Sequence, residues 1–139
     1  MNTKTIGECS EGMVLASLLR AKKVVLQPFG DNQRYDLVVD EKGTFLRIQC
    51  KTARIKNGCL LFDTCSSQCH RGKGKFNYRG QADLFAIYSP DFDKVYIVPV
   101  DEVGVGACRL RVDPPRNPSP NIRLAEKYEF KGSLPKVKR

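Results

Sequence analysis

The first stretch of the chain repeats its core-facing positions every three or four residues, which predicts an α-helix over residues 5–22. Thr3 or Thr5 is the expected N-cap, since Glu8 follows Thr5 at the spacing of a capping box. A glutamate at position 11 of this stripe is unusual, because a carboxylate on a buried face needs a partner. The stripe consists of Gly7, Glu11, Val14, Leu15, Leu18 and Lys22.

Further along, short apolar runs separated by polar or glycine-containing turns predict β-strands. Turn residues at 41–43 and 90–93 join two pairs of these runs into hairpins, and residues 122–130 are expected to form a short helix. One helix followed by strands, without an internal repeat or linker, predicts a single α/β domain over residues 1–139 with a mixed sheet. The expected strands are residues 24–27, 35–40, 45–53, 60–64, 83–89, 94–98 and 109–112.

The positive charge is concentrated in one part of the chain. Lys and Arg outnumber Asp and Glu by 24 to 15, which gives a net charge of +9. Residues 47–82 carry eight basic and one acidic side chain, and the last nine residues add four basic ones. A surface charged only for solubility usually mixes both signs, whereas clustered positive charge is typical of proteins that bind polyanions. We therefore expect a polyanionic partner.

The sequence argues against a membrane protein and against a zinc protein. The longest apolar run, residues 13–19, is too short to span a bilayer, and the N-terminus lacks the pattern of a signal peptide. We therefore expect a cytoplasmic location, reduced cysteines and no membrane partner. Only one pair of cysteines, Cys65 and Cys69, has the spacing of a structural zinc site, so zinc is not the expected cofactor. The residues whose role stays open are Cys59, Cys65, Cys69 and His70.

Polar side chains fall on one face of the predicted strand 45–53. Gln49 and Lys51 are two residues apart and therefore share a face. If Asp40 pairs with Phe45 across the turn, Asp36 lies opposite Gln49. The register thus predicts a carboxylate, an amide and an ammonium on one small patch.

This patch suits the hydrolysis of a phosphodiester, which needs a hard cation held by oxygen ligands. Lys51 can orient the attacking water or stabilise the charge that develops in the transition state. As an alternative, Asp36 and Lys51 form a simple cross-strand ion pair. The expected metal ligands are Asp36, Glu11, Gln49 and the backbone carbonyl of Cys50, with Glu8 in reserve.

Motifs in this order resemble those of the PD-(D/E)XK nuclease superfamily and, within it, the group I intron-encoded homing endonucleases of cyanobacteria. Gln49 departs from the superfamily pattern, which normally has Asp or Glu there, although the homing group accepts glutamine. The resemblance implies a restriction-endonuclease-like core with a mixed sheet flanked by helices, catalysis by Glu11, Asp36, Gln49 and Lys51, dependence on Mg²⁺ or Mn²⁺, and a tetramer. The segments that carry it are Gly7-x3-Glu11-x2-Val14, residues 30–37, residues 47–52, residues 83–88 and residues 96–99.

The basic segment at about residues 64–82 has the composition of a DNA-contacting loop or β-ribbon. Its cations suit phosphates and guanine, and its amides suit base edges. The basic tail at about residues 131–139 is a further candidate. The expected DNA-binding residues are Arg54, Lys56, Gln68, Arg71, Lys73, Lys75, Asn77, Tyr78 and Arg79.

Cutting both strands of a duplex is easiest with two active sites related by symmetry, so at least a dimer is expected. With what the resemblance implies, the leading prediction is a sequence-specific double-strand DNA endonuclease of the intron-homing kind. Two alternatives remain open, a structure-selective nuclease such as a Holliday-junction resolvase and a non-catalytic DNA-binding module.

Overall fold

The computed structural model describes residues 2–30, 33–65 and 78–137, and its first element is a helix, α1, at Thr3–Arg20. Asn2 caps this helix, because its side-chain oxygen accepts a hydrogen bond from the Thr5 N–H at 2.9 Å. The prediction of Thr3 or Thr5 as the cap is therefore wrong. Within the described ranges, no helix is long and apolar enough to cross a membrane.

Among the residues that the structure describes, eight strands follow and form two sheets. The larger sheet has the strand order β1-β2-β3-β6-β7, in which β3 and β6 run parallel and the other neighbours run antiparallel. The smaller sheet is antiparallel and has the order β4-β5-β8. The strands are β1 (Val24–Leu26), β2 (Leu37–Glu41), β3 (Thr44–Thr52), β4 (Arg54–Lys56), β5 (Cys59–Asp63), β6 (Leu84–Ser89), β7 (Lys94–Pro99) and β8 (Ala107–Arg111).

The β2–β3 hairpin has the predicted register. Lys42 and Gly43 form its turn, and both have positive φ angles (55° and 93°), as a two-residue type I′ turn requires. Asp40 pairs with Phe45, as expected. The register of the strand that carries Gln49 and Lys51 is thus set by a turn that the sequence reveals.

The interior of the larger sheet is buried on both faces. Along β6, successive side chains point to opposite sides, so this central strand is apolar at almost every position. One face packs against α1 through Val14, Leu18, Leu37, Val39, Leu46, Ile48, Leu84, Ala86, Val95 and Ile97. The other face packs against the smaller sheet, and this layer includes Leu60, Phe62, Tyr78, Phe85, Ile87, Tyr96, Val98 and Leu110. The α/β fold class with a mixed sheet is confirmed, and the cover on this second face is a sheet that the sequence analysis did not predict.

The expected helix at residues 122–130 is wrong. Only Ala125–Lys127 forms one turn of 3₁₀ helix. The surrounding backbone bonds to neighbouring strands instead, since the Arg123 carbonyl accepts from the Arg111 N–H at 2.6 Å and the Tyr128 carbonyl accepts from the Ile97 N–H at 2.8 Å. Partners on the strand edges satisfy this backbone, so it does not need the internal bonds of a helix.

Candidate active site

Asp36 lies directly before β2, and β3 holds it in place through two hydrogen bonds. Its N–H donates to the Ile48 carbonyl at 2.8 Å, and its Oδ2 accepts from the Cys50 N–H at 2.9 Å. Burial raises the pKa of Asp36, while the Cys50 N–H bond and the charge of Lys51 act in the opposite direction. The carboxylate is therefore fixed beside β3 in a place where its charge is incompletely compensated.

Glu11 approaches Asp36 from α1. Both residues line a cavity of about 290 Å³, which Gln33 and Tyr35 also border. Burial, followed by the charges of Asp36 and Glu8, raises the pKa of Glu11. A glutamate whose pKa is raised by a neighbouring carboxylate at a shared cavity is arranged as a cation would require it. Glu8, the reserve ligand, is exposed one turn earlier.

Gln49 and Lys51 lie half-buried on β3, on the face predicted from their spacing. The Gln49 side-chain nitrogen donates a long hydrogen bond (3.4 Å) to the Cys50 carbonyl, which leaves the amide oxygen as the atom it can offer a metal. The Lys51 Nζ donates to the Cys65 carbonyl at 3.1 Å and to the Tyr78 hydroxyl at 3.3 Å. Its positive charge is therefore held on the side of β3 where Cys65 and Tyr78 lie.

These donors fit a hard divalent cation. Two carboxylates, an amide oxygen and a backbone carbonyl are oxygen ligands of the kind that Mg²⁺ and Mn²⁺ prefer. Burial, with the charges of Asp36 and Glu11, holds the pKa of the Cys50 thiol well above its ordinary value, so this sulfur stays protonated. Within the described parts of the chain, no cluster of three or more His, Cys, Asp or Glu side chains could hold a metal. An oxygen site completed by Gln49 is consistent with that finding.

The sequence analysis did not identify Arg34 as a residue near the site, and it expected Tyr78 on the DNA-binding surface rather than in the core. Tyr78, expected to contact DNA, is only 5% exposed and lies in the core. The Arg34 guanidinium carbon lies 4.4 Å from its ring centroid, and the Lys51 Nζ lies 4.9 Å from it. The available signal was the position of Arg34 two residues before Asp36, a spacing that puts side chains on one side of an extended chain.

The remaining candidates lie away from the carboxylates or outside the described residues. Arg54 and Lys56 are exposed on β4. Arg79 is also exposed, and its guanidinium donates to the Val103 carbonyl at 3.1 Å. Cys59 is buried and Cys65 is half-buried. The predicted residues outside the described ranges are Gln68, Cys69, His70, Arg71, Lys73, Lys75 and Asn77.

Two comparisons with known proteins found similarities to this chain, and a third found none. The sequence model of the PD-(D/E)XK endonuclease family matches residues 1–131. The solved structure of a bacterial homing endonuclease, I-Ssp6803I, is similar to this chain with a TM-score of 0.67 and 25% sequence identity, over 92% of this chain and 86% of that one. No curated protein matches the chain.

Proposed function

The chain belongs to the PD-(D/E)XK endonuclease family, and from this membership we propose that it is a sequence-specific double-strand DNA endonuclease of the intron-homing kind. The observation that carries the proposal is the shared cavity of Asp36 and Glu11 beside the strand that bears Gln49 and Lys51. Nucleases of this family act on DNA and use divalent metal ions. Similarity to a homing endonuclease supports the finer assignment.

Mg²⁺, with Mn²⁺ as a substitute, is the proposed cofactor. Asp36 and Glu11 would hold it with their carboxylates, Gln49 with its amide oxygen and Cys50 with its carbonyl. When bound, the ion supplies a positive charge that neutralises the scissile phosphate and makes a coordinated water more acidic.

Lys51 provides a second positive charge at the same place. An ammonium near the phosphate stabilises the negative charge that develops on its oxygens and can also orient the attacking water. The Asp36 carboxylate, bonded to the Cys50 N–H, keeps its position before substrate arrives. Positions that need no rearrangement are the main source of such electrostatic stabilisation.

DNA binding is proposed for basic residues outside this centre. Arg54 and Lys56 on β4 are exposed and suit backbone phosphates. The segment at about residues 64–82 and the tail at about residues 131–139 add further positive charge in a single domain over residues 1–139. A homo-oligomer, at least a dimer and by resemblance a tetramer, would present one site to each strand of the duplex.

Cleavage of a long mixed-sequence DNA, with and without Mg²⁺, tests the proposal. Lys51→Ala is the test variant, and Lys4→Ala, which removes an exposed lysine in the first turn of α1, is the matched control. We expect discrete, Mg²⁺-dependent fragments from the wild type and from Lys4→Ala, and none from Lys51→Ala. Equal cleavage by both variants would contradict the role of Lys51.

Two other outcomes would identify the alternatives. Intact linear DNA together with cleavage of a synthetic four-way junction would indicate a structure-selective nuclease. Binding of DNA without cleavage of either substrate, unchanged by Asp36→Asn, would indicate a non-catalytic module.

A further inference from the structure

Tyr78 places a polar group in the core at the active centre. Its ring packs edge-to-face on Phe85, with the ring centroids 5.6 Å apart and the planes at 90°. Phe85 lies on β6, directly beside Gln49 of β3 in the parallel register. The ring is therefore held against the neighbour of a candidate metal ligand.

The hydroxyl of this buried ring contacts the candidate catalytic lysine. It accepts a hydrogen bond from Lys51 Nζ at 3.3 Å, and the same nitrogen lies 4.9 Å from the ring centroid. The guanidinium carbon of Arg34, in the loop before β2, lies 4.4 Å from that centroid and so contacts the ring from another part of the chain. Burial raises the pKa of Tyr78, so the group facing Lys51 is a neutral phenol.

Tyr78 is itself fixed to the scaffold by a compact turn. The Tyr78 carbonyl accepts from the N–H groups of Gln81 and Ala82, both at 2.9 Å. Shortly after, the Arg47 side chain donates to the Gly80 carbonyl at 3.1 Å and pairs with Asp83 at 3.2 Å. The residue that holds Lys51 is therefore anchored to β3, the strand that carries Lys51.

The second partner of Lys51 is anchored as well. Nζ donates to the Cys65 carbonyl at 3.1 Å. The preceding residue, Thr64, bonds through its hydroxyl to the Gly104 carbonyl at 2.7 Å and through its N–H to the Gly106 carbonyl at 3.0 Å. Two fixed acceptors on different parts of the chain define one position for a side chain that otherwise has four rotatable bonds.

We propose that Tyr78 is a positioning residue that sets the place of the Lys51 ammonium through its hydroxyl. This inference rests on the proposed function for its catalytic consequence, while the contact itself can be tested without DNA. Tyr78→Phe removes only the hydroxyl and keeps the ring on Phe85. Tyr128→Phe is the matched control, because Tyr128 packs against the same core cluster and directs its hydroxyl to Glu102 at 3.4 Å.

The first measurement is the ¹³Cε resonance of Lys51 in full-length protein labelled at lysine, without DNA and assigned with Lys51→Arg. We expect Tyr78→Phe to shift this resonance and Tyr128→Phe to leave it in place. The second measurement is single-turnover cleavage. Tyr78→Phe should slow it by about 10- to 100-fold, because a misplaced catalytic group loses rate of that order, while DNA affinity and Tm stay close to those of the wild type.

An unmoved Lys51 resonance in folded Tyr78→Phe would overturn the proposal, whatever the cleavage rate. Slower cleavage accompanied by equally weakened DNA binding would also overturn it, since Tyr78 would then act on binding. If the wild type cuts no DNA but Tyr78→Phe still shifts the Lys51 resonance, the proposed function is refuted and the positioning contact is supported.

Discussion

Arg47 joins the active-site strand to the start of β6, and its removal is the most informative test of how the site is supported. Its guanidinium donates to both carboxylate oxygens of Asp83, each at 3.2 Å, and to the Gly80 carbonyl at 3.1 Å. Its backbone N–H donates to Asp83 Oδ2 at 2.7 Å. Arg47→Met keeps the aliphatic length and the backbone bond but deletes all three side-chain bonds.

The expected cost lies between that of a surface pair and that of a buried pair. Exposed ion pairs contribute about 0–1 kcal/mol, and breaking a buried pair costs about 3–5 kcal/mol. The Asp83 side chain is 7% exposed and that of Arg47 is 33% exposed, so the carboxylate left behind is buried although its partner was partly solvated. We therefore expect the free energy of unfolding to fall by about 2–3 kcal/mol.

Urea unfolding followed by far-UV circular dichroism measures this loss, and the chain has no Trp to follow by fluorescence. At roughly 3–5 °C per kcal/mol for a domain of this size, Tm should fall by about 6–15 °C. Arg109→Met, which shortens an exposed arginine on β8, is the control and should change stability by less than about 0.5 kcal/mol. A loss below about 1 kcal/mol for Arg47→Met, with an unchanged m-value, would refute the argument that Asp83 depends on this partner.

Three further outcomes are expected. Burial raises the pKa of Asp36 in the folded protein above its ordinary value of 3.8, so the folded state binds the proton more tightly than the unfolded state. This contribution to the free energy of unfolding is complete below pH 3.8 and is lost as the pH rises through the folded pKa. Asp36→Asn should therefore raise Tm at neutral pH in EDTA, although it abolishes cleavage. The gain in Tm should vanish in acid, and a gain that persists there would contradict the upward direction of the pKa shift. Mg²⁺ at a hundred times its Kd should stabilise the wild type by about 2.7 kcal/mol. Glu11→Gln should need a much higher Mg²⁺ concentration for the same stabilisation, which thermal shift titrations of both proteins measure. Gly58→Ala should lower the free energy of unfolding by about 1–2 kcal/mol in chemical denaturation, because φ is +74° and the new Cβ would lie 2.7 Å from Asp113 Oδ2. Gly104→Ala is the control and should be nearly neutral, since its Cβ would meet no atom within 4 Å.

The position of β3, the strand with the candidate catalytic residues, was predictable because its register depends on the local turn. A two-residue turn ending in Gly43 fixes which residues face each other across β2 and β3, and the alternation of the strand then orders Gln49 and Lys51. The pairing of Asp40 with Phe45, which the sequence analysis assumed across the predicted turn, is confirmed.

The smaller sheet left a weaker trace in the sequence. Its first strand, β4, has only three residues, and Ile55 is exposed, so no alternating pattern was long enough to reveal it. The Asn57–Gly58 pair was the usable signal, since Asn-Gly strongly favours a hairpin turn and both residues have positive φ. The wrong helix at residues 122–130 has the opposite cause, because tertiary partners on β7 and β8 override its local preference.

At the site, sequence reasoning selected residues whose roles follow from chemical type and spacing along one strand. It did not find the environment of Lys51, because Tyr78 is 27 positions away and meets it only after the chain has passed through the smaller sheet. Asp36 and Glu11 share a cavity although they come from different elements. Glu11 was selected because a glutamate on the apolar stripe of a helix is unusual, and the resemblance implied the same residue.

The parallel pairing of β3 with β6 also bears on how DNA specificity could change over time. These strands are hydrogen-bonded neighbours, paired from Ile48 beside Leu84 to Thr52 beside Tyr88. Residues 53–83 therefore connect two adjacent strands of the larger sheet. Closing such a connection costs free energy that grows only with the logarithm of its length, about 0.6 kcal/mol for each doubling. A change in the length of this connection that leaves β4, β5, Cys65 and Tyr78 in place therefore costs little, while β3 keeps its alignment with β6. Under the proposed function, recognition and chemistry can thus diverge at separate rates within one gene.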